Sequence, residues 1–328
     1  MEKKLGLTKR RRKKRVLIFG GTGFIGSYTT RRFLHSNYDV TVASIDTDVK
    51  GNEYVKRAKF IYLDLYKSTD RYMRKIMKNV DCVVFLAGAD DRCVPKAPAL
   101  EFFRVANVES TKRVVRIAKE VGVRKVVVAS SYFTYFARRY PEWNLENIHP
   151  YIKARCEQED CALSESNKSF AVVILQLPYV IGAINGKAPL LKPLVNYVKS
   201  PFPTLFMHGG TSVIAVDHVA ESILNCFEKE IGSGIYALGS KNLTWDEFVW
   251  KIHPTKKIIH IPLFCLRILG CFVDFVNLLK GRESGLRMRE FARLQVKELF
   301  LDVKSCSEFF EYSDEVLDSA FEKMVNES

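Results

Sequence analysis

The sequence contains no stretch of about eighteen uncharged apolar residues, so a membrane-spanning helix is not expected. No apolar segment precedes Val16, where a secretory leader would carry one. Eight cysteines are scattered at Cys82, Cys93, Cys156, Cys161, Cys226, Cys265, Cys271 and Cys306. They form no C-x-x-C pair, and no cysteine–histidine group has metal-ligand spacing. A bound metal and a disulfide scaffold are therefore not expected, and reduced thiols in a cytoplasmic protein are. Internal repeats are missing, as is any low-complexity segment beyond the first fifteen residues.

What is present is enough apolar residue, 47% of 328, for one large or two fused globular domains. The net charge of +14 is uneven, because residues 1–15 hold nine basic residues against one acidic. Such a block has no fixed geometry. A solvated arm is the favoured reading, ahead of one that contacts nucleic acid or an anionic surface.

The chain is organised around Val16–Ser27, VLIFGGTGFIGS. Four apolar residues enter a turn in which Gly20, Gly23 and Gly26 stand three apart, and a helical pattern follows from Tyr28 to Leu34. Glycine is required where the backbone takes positive φ or approaches a pyrophosphate without a Cβ. The free N–H groups of the new helix then face the phosphates. An apolar strand before the turn and a helix after it make a dinucleotide site the expected reading.

Further strands are expected at Asp39–Ala43, Lys59–Leu63, Asp81–Ala87, Arg124–Ala129 and Phe170–Leu177. Helices are expected around Asp70–Lys78, over Phe102–Val121 and over Pro150–Ser164. Strands alternating with helices indicate an α/β fold with a doubly wound parallel sheet. Beyond Pro178 the rhythm breaks. A helix is expected at Val216–Lys229, a short strand at Gly234–Leu238, and a capped helix start at Thr244 with Glu247. Pro262–Leu279 reads as an apolar helix over a substrate cleft, ahead of interfacial membrane contact, since its apolar residues are too evenly spread for a clear face. The domain reading is an arm at 1–15, a Rossmann-type dinucleotide domain at 16–178, and a smaller C-terminal α+β substrate domain at 179–328, with 213–230 returning to the first.

These segments together resemble an extended short-chain dehydrogenase/reductase of the NAD-dependent epimerase/dehydratase group, in its reductase-like branch. The carriers are GGTGFIG at 20–26, Asp64 in YLDL, Leu86-Ala87-Gly88-Ala89, Asn107-Val108-Glu109-Ser110-Thr111, Ser130-Ser131, Tyr151, the LQLPYVIG segment at 175–182, Val216-Asp217-His218-Val219-Ala220 and the last helices. The resemblance implies cofactor contacts from Gly20, Thr22, Gly23, Phe24, Ile25, Gly26, Ser44, Asp64, Leu65, Leu86, Ala87, Gly88 and Pro178. Asp64 reads equally as a strand-end turn residue. It also implies Tyr151 as acid/base, Ser131 rather than Ser130 as the ligand of the substrate oxygen, and Asn107 in support.

A tyrosine hydroxyl titrates near ~10, so it needs a nearby cation to act near neutrality. The family supplies a lysine one helical turn after the tyrosine; here that position is Arg155, and Lys153 falls on the wrong face. Arginine keeps the charge but places it differently. The cofactor implied is NAD or NADP. Ser44 stands where an NAD-selecting carboxylate would, and the nearby Arg31 and Arg32 incline the reading to NADP. Members of the family that act on nucleotide sugars often carry an arginine shortly before the Val216–Ala220 segment, and Gly209–Ala215 holds none, which weakens a nucleotide-sugar substrate. The expected activity is oxidation or reduction of a secondary alcohol or carbonyl on a small organic molecule. Alternatives are a nucleotide-sugar epimerase or dehydratase, and a non-catalytic cofactor-binding or nucleic-acid-binding protein. A homodimer through the Tyr151 and Phe102–Val121 helices is a further implication of the resemblance.

Overall fold

The computed structural model describes residues 12–47, 53–184, 189–229 and 231–328. In chain order the first half comprises β1 (Arg15–Phe19), α1 (Phe24–His35), β2 (Asp39–Ser44), α2 (Glu53–Arg57), β3 (Lys59–Tyr62), α3 (Asp70–Met77), β4 (Cys82–Phe85), α4 (Ala99–Phe103), α5 (Ser110–Glu120), β5 (Lys125–Ser131), α6 (Tyr132–Arg139), α7 (Leu145–Ile148) and α8 (Pro150–Leu163). It continues through β6 (Ala171–Leu177), β7 (Tyr179–Ile181), α9 (Lys192–Lys199), β8 (Thr204–Phe206), β9 (Gly210–Ala215), α10 (Val216–Glu228), β10 (Gly234–Ala237), β11 (Lys241–Thr244), α11 (Trp245–Ile252), β12 (Ile258–His260), α12 (Leu263–Leu279), α13 (Met288–Gln295), β13 (Glu298–Leu299) and α14 (Asp314–Asn326).

Seven strands form one sheet in the order β10-β6-β5-β4-β1-β2-β3, every neighbouring pair parallel. Alternation along each strand assigns the two faces. Val16, Ile18, Val40, Val42, Val84 and Val127 join Phe33 of α1 and Val219, Ile223 and Leu224 of α10 in one core. Leu17, Phe19, Val83, Phe85, Val126 and Val128 join Met73, Met77, Val114 and Ile117 of α3 and α5 in the other. Burial on both faces is what makes these strands nearly continuous apolar runs. Each such side chain removed from water stabilises the fold by about 1.5–3 kcal/mol. The order reverses between β1 and β4, and the crevice beyond their carboxyl ends is where this sheet type binds ligands.

Three departures from the sequence reading bear on the site or the arm. β4 stops at Phe85, and Leu86–Ala89 leave the sheet after Leu86 N–H reaches Phe19 O at 3.0 Å. The expected Phe102–Val121 helix is interrupted by a π-helical turn at Arg104–Glu109. Residues 12–15 of the arm are among the described residues and pack on the sheet. Arg12 pairs with Asp81 at 2.9 Å, Lys14 with Glu228 at 3.3 Å, and Arg15 already belongs to β1; residues 1–11 of the arm lie outside the described residues. The Thr244–Glu247 capping box forms in full.

A second sheet holds β9 between antiparallel β11 and parallel β13, with β7 also pairing parallel to β9. α10 returns from it to pack on α1 through Val216, Ala220 and Tyr28.

Candidate active site

The glycine turn sits where β1, β2 and β4 end. Gly20 has φ +78°, donates its N–H to Ala43 O at 2.8 Å, and lies so close to β4's exit that a Cβ would fall 3.0 Å from Ala87 N. A Cβ on Gly26 would fall 2.1 Å from Gly20 O. That contact seats the first turn of α1 directly against the loop. Gly23 is the N-cap of α1, without a capping side chain and without an acidic residue in the first turn. The donors of Phe24 and Ile25 at the helix start are therefore left for an outside anion, which fits a pyrophosphate. Gly26→Ala is expected to destabilise the fold by about 1–3 kcal/mol through overpacking and to weaken dinucleotide binding in a thermal-shift titration.

Other residues expected around the cofactor are placed as follows. Thr22 and Ser44 hydroxyls share a hydrogen bond of 2.6 Å, and Ser44 Oγ accepts from Asp46 N at 3.2 Å. The Asp64 carboxylate accepts from Tyr66 N at 2.9 Å and Lys67 N at 3.3 Å, the strand-end turn role, while Leu65 O accepts from Arg113. Pro178 links β6 to β7. The two arginines that inclined the reading to NADP have protein partners. Arg31 ion-pairs with Asp217 and lies 4.7 Å from the Tyr28 ring, and Arg32 reaches Glu221 at 3.6 Å. Arg31 also lies 5.6 Å from the Tyr54 ring of α2, so it stands between α10 and α2, while Arg32 turns to α10.

Tyr151, in the first turn of α8, is almost completely buried. Burial raises its hydroxyl pKa, and the Asp91 charge adds to that; the Arg155 charge opposes it, with Ser131 and the Arg155 guanidinium close by acting the same way. The Arg155 guanidinium carbon stands 5.2 Å from the Tyr151 ring centroid. The guanidinium is itself fixed, donating to Gln158 Oε1 at 2.8 Å, Ala89 O at 3.1 Å and Ala129 O at 3.4 Å. Asn107, fully buried in the π-helical turn, accepts from Ala89 N at 2.9 Å and donates to Ala89 O at 3.1 Å. Asn107 and Arg155 thus clamp the same peptide at β4's exit. A π turn is a common way to re-aim a side chain at a functional site.

The two serines at the end of β5 divide cleanly. Ser130 donates to Glu159 Oε1 at 2.6 Å. Glu159 is buried, its carboxyl pKa pushed up by burial and held back by Ser130, Thr134 and Gln176. Ser130 and Gln176 are therefore structural, whereas Ser131 faces Tyr151 and caps α6 by accepting from Phe133 N at 3.4 Å.

Sequence reasoning missed α6 and the ring of side chains it brings. Tyr132, buried, bonds Thr211 Oγ1 at 2.8 Å and lies 6.3 Å from the Tyr179 ring. Phe133 meets Phe291 of α13 at 5.9 Å. Asp91 acts electrostatically on Tyr132, Tyr151 and Tyr179 together, and burial with its neighbour Asp90 pushes its own carboxyl up. The available signals were Ser131 ahead of an aromatic pattern, a helix-start signature, and an acidic pair directly after the β4 exit. The buried side chains around Tyr151 are thus aromatic, and the Asp91 carboxyl acts on three of the tyrosines.

His149 braces this region. Its Nδ1 accepts from Arg287 N at 3.1 Å, and burial together with the Arg287 charge lowers its pKa to about 4. With the folded value below the ordinary 6.5, the unfolded chain binds the extra proton first. Its contribution is full above pH 6.5 and is lost as pH falls towards 4. Melting temperature should fall across that window, and His149→Phe should flatten the decline.

A reversal-point crevice, a glycine turn and a buried tyrosine beside a cation define a dinucleotide-binding α/β protein of the extended short-chain dehydrogenase/reductase type. The chain belongs to the NAD dependent epimerase/dehydratase family, whose model matches residues 16–229. It is 28% identical over 228 residues to probable UDP-arabinose 4-epimerase 3 of Oryza sativa subsp. japonica, covering 62% of this chain and 51% of that protein. It is also 28% identical over 191 residues to the decarboxylating sterol-4-alpha-carboxylate 3-dehydrogenase of Homo sapiens, covering 56% and 48%. The chain spans about half the length of these curated relatives. Among solved structures, gox2253 superposes with TM-score 0.75 at 19% identity, covering 96% of this chain and 98% of that one. MoeE5 in complex with UDP-glucuronic acid and NAD superposes with TM-score 0.67 at 16% identity, covering 95% and 98%. Both share the fold.

Proposed function

We propose that this protein is an NAD-dependent oxidoreductase acting on a secondary alcohol or carbonyl of a weakly polar substrate. The observation that carries this reading is buried Tyr151 near Ser131, with the Arg155 guanidinium carbon 5.2 Å from its ring centroid, at the end of the dinucleotide crevice. The turn at Gly20–Gly26 and the open start of α1 would hold the pyrophosphate. Bound nicotinamide supplies the place to which hydride goes or from which it comes. Ser131 orients the substrate oxygen, and Tyr151 takes the hydroxyl proton in oxidation or returns it in reduction. Arg155 makes the phenolate accessible, and Asn107 holds the Ala89 peptide against which Arg155 is braced. The engagement of Arg31 and Arg32 with α10 supports NAD over NADP.

The aromatic surround of Tyr132, Phe133 and Tyr179, with no arginine on β9, supports a substrate less polar than a nucleotide sugar. The test is turnover on a panel of hydroxysteroids, dihydroflavonol-type ketones and UDP-sugars with NAD or NADH. Stoichiometric change in NADH with an alcohol or ketone is expected. Redox-neutral conversion of a UDP-sugar would instead establish an epimerase.

A further inference from the structure

Helix α12 buries one residue of its seventeen, Gly270. Gly270 is the contact with α13, where a Cβ would fall 2.6 Å from Arg289 N. Asp274 fixes the pair by accepting from Met288 N and Arg289 N, both at 3.0 Å. The side turned away from α13 is apolar. Phe264, Ile268, Phe272, Phe275 and Leu279 recur at intervals of four, four, three and four, which is one helical face, and each is between 55% and 72% exposed. Leu269 and Leu278 widen the stripe. The cleft-covering place expected for this segment is taken instead by α13, through Phe291 on Phe133, and α12 lies one layer further out. The α13-facing side carries Arg267, which reaches Glu290 at 3.4 Å, beside Gly270 and Asp274, so the apolar and polar sides of α12 are distinct.

A contiguous apolar face of this size marks an interaction surface, and its surroundings identify the partner. Residues 262–297 hold seven basic residues against three acidic. Lys280, Arg282, Arg287, Arg289 and Arg293 are exposed; Arg287 pairs with Glu283 at 3.4 Å, Arg289 and Arg293 share Glu290 at 3.3 and 3.2 Å, and the Asp274 carboxylate is spent on the α13 N-terminus, so the segment stays net positive. A second copy of the chain would meet the apolar stripe but would set basic rim against basic rim. An anionic bilayer meets both features. Among the described residues no helix is long and apolar enough to cross a membrane, and a helix with one exposed apolar face beside cationic residues suits the interfacial plane.

We propose that α12 docks this protein on an anionic phospholipid surface, with Phe264, Ile268, Phe272, Phe275 and Leu279 in the interface and the basic residues against the headgroups. The α12–α13 unit is joined to the active site, since Tyr151 N donates to Gly285 O at 3.0 Å. On the functional reading above, docking presents the aromatic cleft to amphiphilic substrates held in the bilayer.

Vesicle flotation of the full chain tests the docking without reference to activity. Capture by phosphatidylcholine/phosphatidylserine vesicles is expected to exceed capture by pure phosphatidylcholine by about tenfold or more and to weaken with salt. Phe272→Ser/Phe275→Ser should cut capture by about tenfold or more while leaving the melting temperature unchanged, because both side chains are exposed. Lys280→Glu/Arg289→Glu, which leaves the apolar face intact, should cut it on anionic vesicles alone. Absence of capture by anionic vesicles, or capture undiminished in both variants, would overturn the proposal. So would a dimer in sedimentation velocity that the Phe272→Ser/Phe275→Ser variant dissociates, since the stripe would then be a subunit interface.

Discussion

Tyr151→Phe lowers turnover by about 10²- to 10⁴-fold, the range that a positioned general acid or base supplies, and leaves dinucleotide affinity within a few-fold of the parent. The separation of the two effects follows from the layout. The glycine turn proposed to hold the pyrophosphate lies between β1 and α1, whereas Tyr151 stands on α8, packed against Phe103 at 5.4 Å between ring centroids. Removing one hydroxyl leaves the ring in its apolar socket of Ile152, Leu286 and Phe103, so the fold should keep its melting temperature. The measurement is kcat in the direction of alcohol oxidation, beside NAD affinity from quenching of intrinsic fluorescence. Equal kcat values would remove Tyr151 from the chemistry. A large drop in NAD affinity would mean that the substitution disturbed the crevice, and Ser131→Ala would then be the cleaner probe, with an expected loss of about tenfold or more.

The two ends of this site were legible in the sequence to different degrees, and the reasons are physical. The Gly20–Gly26 turn is dictated by local sterics, since Cβ atoms at Gly20 and Gly26 would strike backbone of the turn itself or of the segment just after β4. Such constraints leave a residue-level mark. The sheet was legible because strands buried on both faces must be apolar throughout. Less visible were features decided by distant contacts. Arg31 and Arg32 look like phosphate ligands when only their distance from Ser44 along the chain is considered. Their partners Asp217 and Glu221 come from a helix some 190 residues later. Asn107 reads as a polar residue in a helix until the π turn aims it at Ala89. Ser130 and Ser131 are neighbours in sequence, but strand alternation sends one to Glu159 and the other to Tyr151. The stripe on α12 was hidden because periodicity reports an apolar helix without reporting which side the rest of the protein covers.

Arg155→Met is expected to cost about 10- to 100-fold in turnover at neutral pH, in line with the loss of a charge-assisted hydrogen bond worth about 1.5–3 kcal/mol. Its signature is the pH profile. Burial raises the Tyr151 pKa, and the Arg155 charge is the first of the groups that oppose it. Without that charge the folded-state pKa moves further up. In alcohol oxidation the phenolate is the working form, so the rising limb of the kcat profile shifts to higher pH. The deficit against the parent therefore shrinks as the buffer becomes more alkaline. A purely structural role for Arg155 would lower the whole profile without moving it. Arg155→Lys separates charge from shape. The ammonium keeps the cation one helical turn from Tyr151, but it lacks the planar fork that reaches Gln158, Ala89 and Ala129 together. Its limb should stay close to that of the parent, while stability falls by about 1–2 kcal/mol as the carbonyl of Ala89 or Ala129 loses a donor. If the lysine variant instead shifts its limb as far as the methionine variant, placement of the charge by the fork matters as much as its sign. Arginine at this position would then be an integral part of how the tyrosine is tuned.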